Sequence, residues 1–195
     1  AMGPYEVLSR LPDARVQFVG LTPDPITSDT GFMTFLPACG LDDSGPGDVL
    51  LVPGGPEPAV MAVAQNPRAQ RWLKAQHEAS RYTCSVCTGA IILIAVGIIT
   101  EAGVATHWAA ADNVAQMGLK YTGERIARNG KLFTAAGVSA GIDLALALSA
   151  EIAGKPVAEA IQVAIEYDPA PPFPYRGDDQ ATRQRVLELF ASNRR

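Results

Sequence analysis

Apolar residues along this chain follow two rhythms, short continuous runs and longer stretches with a helical period, and the two alternate. Residues 16–20 read as a strand, residues 30–36 as a small β excursion, and residues 48–52 as a buried strand ending in Pro53-Gly54-Gly55. Asn66-Pro67 opens a helix through Trp72, Leu73 and His77, with the asparagine as cap and the proline in the first helical position; His77, beside Gln76 and Glu78, reads as solvent-exposed. Residues 82–86 have strand composition, and residues 91–99 are apolar enough for a buried helix. Residues 104–106 are short and extended, and residues 109–117 are helical. A hairpin follows at 125–134, turning on Asn129-Gly130, a pair suited to the positive φ angles of a type I′ turn. Helices are then expected at 139–153, capped by Ser139, at 156–167 and, after a proline-rich loop, at 180–192. This alternation predicts an α/β fold around a mostly parallel sheet.

With 195 residues, 48% hydrophobic and 18% charged, the chain suits a single domain, residues 1–195, with a substantial core. The net charge of −4 argues against a sequence-independent nucleic-acid binder, which needs a basic face. Three cysteines, an odd number, fit a reducing, cytoplasmic setting better than a disulfide framework. The apolar run at 91–99 is too short to cross a bilayer, so no membrane association is expected.

The candidate chemistry centres on Cys84-Ser85-Val86-Cys87-Thr88-Gly89, where a strand must turn sharply into a helix. The end of a strand in an α/β sheet faces the ligand crevice, and a helix N-terminus offers unpaired amides and partial positive charge. Both favour a thiolate at Cys87, although most free cysteines are buried and inert, and position alone leaves that alternative open. Cys84-x-x-Cys87 has the spacing of a redox pair or half a zinc site, but strand alternation points the two thiols apart. The chain offers only Cys39, His77 and His107 as further soft ligands, so no metal site is expected.

Strand ends at Val52, Val86 and Thr106 converge on one crevice in a parallel sheet. Gly54 and Gly55 permit close backbone approach, and the Gly55 and Thr88 amides are candidate donors to an oxyanion beside the thiol, although Pro53-Gly54-Gly55 alone reads as a plain turn. His107 is either a base for the thiol or a structural histidine packed near Trp108.

Taken together, Pro53-Gly54-Gly55, Ser85-Val86-Cys87-Thr88-Gly89, Ala105-Thr106-His107-Trp108, Gly137-Val138-Ser139-Ala140-Gly141-Ile142-Asp143 and Ile165-Glu166-Tyr167 through Pro171-Pro172-Phe173 resemble the ThiJ/PfpI superfamily, and within it the isocyanide hydratases. The resemblance covers essentially the whole chain. It implies a flavodoxin-like three-layer sandwich, a homodimer, a small-molecule substrate and Cys87 as nucleophile, with no metal or organic cofactor. The implied reaction hydrates R–N≡C to an N-substituted formamide through a thioimidate on Cys87. Thr88 would hydrogen-bond the intermediate, and Val138 with Trp108 would form an apolar wall.

The resemblance also expects an acid and an internal first strand, and the acid would fall one position before Ala1. Glu6, in the first turn of a helix opened by Pro4, is expected to satisfy the helix dipole rather than replace that acid. Asp143, Glu166 and Asp168 are expected to be structural. Two other readings exist within the resemblance: a ligand-sensing domain related to AraC-type transcriptional regulators, and a glyoxalase or deglycase.

Overall fold

Residues 1–101 and 103–192 are described by the computed structural model. The chain opens on helix α1 (Met2–Leu8) and passes through four two-residue strands, β1 (Val19–Gly20), β2 (Ile26–Thr27), β3 (Thr34–Phe35) and β4 (Cys39–Gly40), before the longer β5 (Val49–Val52). Helices α2 (Glu57–Ala64) and α3 (Pro67–Ala79) lead to β6 (Tyr82–Val86), which runs almost directly into α4 (Gly89–Ala95). After β7 (Gly103–Val104), α5 (Ala111–Gln116) and β8 (Lys120–Tyr121) come β9 (Ile126–Asn129) and β10 (Leu132–Ala135). Helices α6 (Ala140–Ala153), α7 (Lys155–Ala164) and α8 (Gln180–Ser192) complete the order.

The main sheet has the order β5-β6-β10-β9. Its β5–β6 and β6–β10 pairs are parallel, and only the hairpin strand β9 runs antiparallel. Among the described residues no strand pairs with the outer edge of β5. Helices cover both faces, which explains why all five residues of β6 are buried rather than alternating. On one face Leu50 and Val52 pack with Val60 of α2, Leu73 of α3 and the apolar run of α4. On the other, Cys84, Val86 and Phe133 meet Val7 of α1, Leu144 and Leu148 of α6 and Ile161 of α7. The result is the three-layer α/β sandwich with a mostly parallel sheet that the sequence pattern and the resemblance anticipated. Leu93, Leu144 and Leu148 are wholly buried, each stabilising the fold by about 1.5–3 kcal/mol relative to exposure.

Local chemistry accounts for most boundaries. Asn66 caps α3, its side chain accepting from the amides of Arg68 at 2.9 Å and Ala69 at 3.2 Å. Several expectations need correction. The first strand is confined to Val19–Gly20, and the helix expected at 109–117 begins as a 3-10 turn, Trp108–Ala110. Asn129 pairs with Leu132, so the hairpin turns on Gly130-Lys131, and only Gly130 takes a positive φ, 57°. Asn129 is thus the last ladder residue, one place short of the expected turn. Ser139 makes no capping bond, because its hydroxyl accepts from Arg125 Nη2 at 3.3 Å. His77 is half-buried, with Nδ1 2.8 Å from Thr83 Oγ1, and Lys131 donates to its carbonyl. Burial first, and then the Lys131 charge, push its pKa down.

Candidate active site

Cys87 lies one residue beyond β6 and holds φ at 59°, a left-handed conformation that a non-glycine residue rarely adopts. Three bonds hold it there. Its amide donates to the carbonyls of Ala135 at 3.0 Å and Ala136 at 2.7 Å, and Thr106 Oγ1 donates to its carbonyl at 2.8 Å. The turn therefore ties together the ends of β6 and β10 and the segment after β7. The sequence predicted the meeting of Val86 and Thr106 but not the β10 end; the β5 end, also expected here, joins through Thr88. Strand alternation stops at Val86, and the half-buried Cys87 packs against the Cys84 side of the sheet. All three cysteines are free, and burial drives the Cys84 thiol up to about 12.

The glycines around the turn are there for space. A Cβ on Gly54 would lie 2.5 Å from Thr88 Oγ1 and 2.6 Å from the Thr88 amide. One on Gly89 would overlap the Val52 carbonyl oxygen and lie 2.9 Å from the Pro53 carbonyl carbon. One clash sets the β5 loop against the elbow and the other sets the elbow against the β5 end, so the close approach of the β5 and β6 loops depends on these two residues. Across that gap Thr88 Oγ1 donates to the Gly55 carbonyl at 2.9 Å and accepts from the Gly55 amide at 3.0 Å. This reciprocal pair corrects the expected oxyanion site. The Gly55 amide is already engaged by Thr88, which leaves the Thr88 amide as the donor at the sulfur.

The charge state of Cys87 also departs from expectation. Burial pushes its pKa up; hydrogen bonds from the Thr88 amide and hydroxyl pull the other way without cancelling it. The following helix is only seven residues long, so its dipole is a weak counterweight. The Thr88 hydroxyl has one proton and two takers, the Gly55 carbonyl and the sulfur.

His107 and Trp108 border the site on the other side, with ring centroids 5.4 Å apart. A Cβ on Gly137 would lie 3.3 Å from His107 Cδ2, which brings the histidine against the strand end that also holds Cys87. Its Nδ1 accepts from the Ala109 amide at 3.2 Å, and this assigns the proton of the neutral ring to Nε2. Burial lowers the His107 pKa, favouring that neutral form. Val138, 81% exposed, stands at the mouth rather than within a closed wall.

The acid expected one position before Ala1 lies outside the described residues. Glu6 is exposed and pairs with Arg10 at 2.8 Å, as a surface helix acid does. Asp143 is half-buried and forms an ion pair with Arg125, whose Nη2 also reaches Tyr167 Oη at 3.4 Å. Glu166 and Asp168 are exposed. Among the described residues no three His, Cys, Asp or Glu side chains come together as a metal site. The sequence reading missed Arg125, which organises Asp143, Ser139 and Tyr167 from across the fold, and Thr106, whose hydroxyl braces the elbow. Thr106 stood within a motif that had been noted, but its partner, a main-chain carbonyl, has no sequence signature.

The DJ-1/PfpI family model matches residues 1–151. The chain belongs to the DJ-1/PfpI family. Among curated members, an isonitrile hydratase of Pseudomonas putida is 38% identical over 186 residues, 95% of this chain and 80% of the relative. A Parkinson disease protein 7 homolog of Danio rerio is 31% identical over 65% of this chain and 68% of its own length. A glutathione-independent glyoxalase of Caenorhabditis elegans is 26% identical over 55% of this chain and 56% of its own. A ThiJ/PfpI family protein from Pseudomonas syringae superposes with a TM-score of 0.89 at 30% identity, covering 99% of this chain and 81% of that one. Within this DJ-1/PfpI member, the elbow brings a half-buried thiol, one amide and one hydroxyl together. Such a site suits covalent capture of a small electrophile. Among the described residues no helix is long and apolar enough to cross a membrane.

Proposed function

We propose that the protein is an isocyanide hydratase, converting R–N≡C to R–NH–CHO through a covalent thioimidate on Cys87. One observation carries this reading: a strained cysteine hydrogen-bonded by Thr88, in a chain 38% identical to an isonitrile hydratase along 95% of its length.

The thiol enters protonated, because burial raises its pKa. Sulfur bonds to the terminal carbon as the S–H bond breaks, the carbon lone pair takes that proton, and one π pair of the N≡C bond moves to nitrogen. The product is the thioimidate R–N=CH–S–Cys87. Water then adds to the same carbon, the C–S bond breaks, and the two protons of water end on nitrogen and sulfur. The sum is one isocyanide and one water giving one formamide, with the thiol restored. Covalent capture divides one hard addition into two easier ones. The Thr88 amide stabilises negative charge on sulfur as it attacks and leaves, a role worth about 1.5–3 kcal/mol for a hydrogen bond to a charged group. Trp108 and Val138 offer apolar contact to an uncharged substrate, with Gly54 and Gly55 forming the opposite side. His107, neutral with Nδ1 accepting from the Ala109 amide, borders the site and is not the base for Cys87. The active form is a homodimer.

Incubation with an aryl isocyanide, followed by proton NMR for the formyl signal, tests this. Formamide should accumulate with the wild-type protein and fall to the uncatalysed rate with Cys87→Ser. Turnover of a 2-oxoaldehyde without any of an isocyanide would favour the chemistry named for the Caenorhabditis relative.

A further inference from the structure

On the far side of Trp108 from His107 lies a concavity of about 1080 Å³ between the start of α6, the proline-rich segment at 168–179 and α8, and Trp108 is the residue it shares with the border of the cysteine site. That is far more room than an isocyanide carbon and one water need. Its walls are aromatic: Trp108, Tyr167, Phe173 and Tyr175 all line it. Phe173 is 78% and Tyr175 85% exposed, so these rings spend their apolar surface on nothing within the chain.

The charges in the concavity are unbalanced. Three guanidinium groups, Arg125, Arg176 and Arg183, line it against one carboxylate, Asp143. The whole chain, by contrast, carries −4. Arg125 is committed to Asp143, and Arg183 donates to the Gly177 carbonyl while its guanidinium carbon lies 5.0 Å above the Trp108 ring. Among the described residues the Arg176 guanidinium makes no hydrogen bond and no ion pair. The nearby Asp179 carboxylate is turned away to cap α8, accepting from the Thr182 amide at 2.8 Å and its hydroxyl at 2.5 Å.

Resting on the hydratase reading, we propose that this concavity receives the N-substituent of the substrate, and that the substituent is an aromatic ring bearing a carboxylate. The isocyanide carbon reaches Cys87 past Trp108, the ring lies among Trp108, Phe173 and Tyr175, and the carboxylate is taken by Arg176. A guanidinium fork and a carboxylate match in geometry. Because Arg176 is exposed, its contribution is that of a screened pair, about a two- to fivefold preference.

The test has two arms. In the first, kcat/KM is measured for 4-isocyanobenzoate and for its methyl ester, with wild-type protein and Arg176→Gln. In the second, which needs no turnover, calorimetry compares 4-formamidobenzoate with its methyl ester on Cys87→Ser and on Cys87→Ser/Arg176→Gln, folding being checked by circular dichroism. The expected result is about a two- to fivefold preference for the acid in both arms, shrinking towards one with Arg176→Gln and at high salt. An acid-to-ester ratio near one, or a preference that Arg176→Gln leaves intact, overturns the proposal. Turnover without preference removes the concavity's role and leaves the hydratase standing. Preferential binding without turnover of either isocyanide does the reverse.

Discussion

Cys84 and Cys87 are three residues apart and chemically unlike. Cys84 is fully enclosed by the sheet and α6, and its pKa is driven to about 12 by burial alone. Cys87 is half-buried, and its pKa is raised by burial against the pull of Thr88. The Cys84 shift has a consequence for stability. A thiol whose folded pKa exceeds its unfolded value, about 9, favours the folded state fully below pH 9, and that contribution drains away as pH rises towards 12. Urea unfolding between pH 8 and 11 should therefore show a steeper alkaline loss of stability for wild type than for Cys84→Ala, even though the variant is less stable at neutral pH from the cavity it leaves. Parallel alkaline slopes would show that Cys84 ionises as easily in the folded chain as in the unfolded one. For the same reason Cys84 should resist alkylation until the protein unfolds.

At the scale of elements, β6, the turn and α4 behave as one unit whose shape is fixed by what is absent from Gly54 and Gly89. Gly89→Ala places a methyl group against the Val52 carbonyl, main-chain atoms that cannot rotate aside, and should cost about 1–3 kcal/mol of stability with loss of turnover. A urea midpoint equal to wild type would mean that the β5 loop moves freely from the elbow. Most of this unit was legible beforehand. The apolar run, the cysteine and the following glycine forced a strand-turn-helix, and Asn66-Pro67 marked a helix start that the structure keeps. What escaped were features decided by distant partners. Helix α2, Glu57–Ala64, follows Pro56 without a capping side chain and was passed over. Ser139 looked like a cap but is drawn to Arg125, and the Gly55 amide looked available but is taken by Thr88. His77 looked exposed on its helix, yet Thr83 and Lys131 hold it, contacts between segments remote in sequence. The direction of the Cys87 shift escaped for the same reason, since burial depends on how α1, α6 and the β10 end close over the turn.

Over the whole molecule, the sandwich leaves several large apolar side chains in solvent, including Phe32 at 97%, Val163 at 76% and Leu36 at 71% exposed. These side chains, outside the concavity, favour a homodimer as the working form. Light scattering on the eluting protein should give twice the 20.5 kDa of one chain, and a mass of one chain at micromolar concentration would exclude the dimer. The fold collects the chemistry at one end of the sheet: a strained thiol on β6, its Thr88 brace across to β5, a neutral histidine after β7 and, beyond Trp108, a basic aromatic cavity. Cys87 as the covalent centre is the claim on which the others depend. Rapid acid quenching during turnover of an aryl isocyanide, followed by intact and peptide mass spectrometry, tests it most directly. A mass increase equal to one isocyanide, located on the peptide containing Cys87 and lost in Cys87→Ser, is the expected result. Formamide production without any adduct on Cys87, or undiminished in Cys87→Ser, would contradict it.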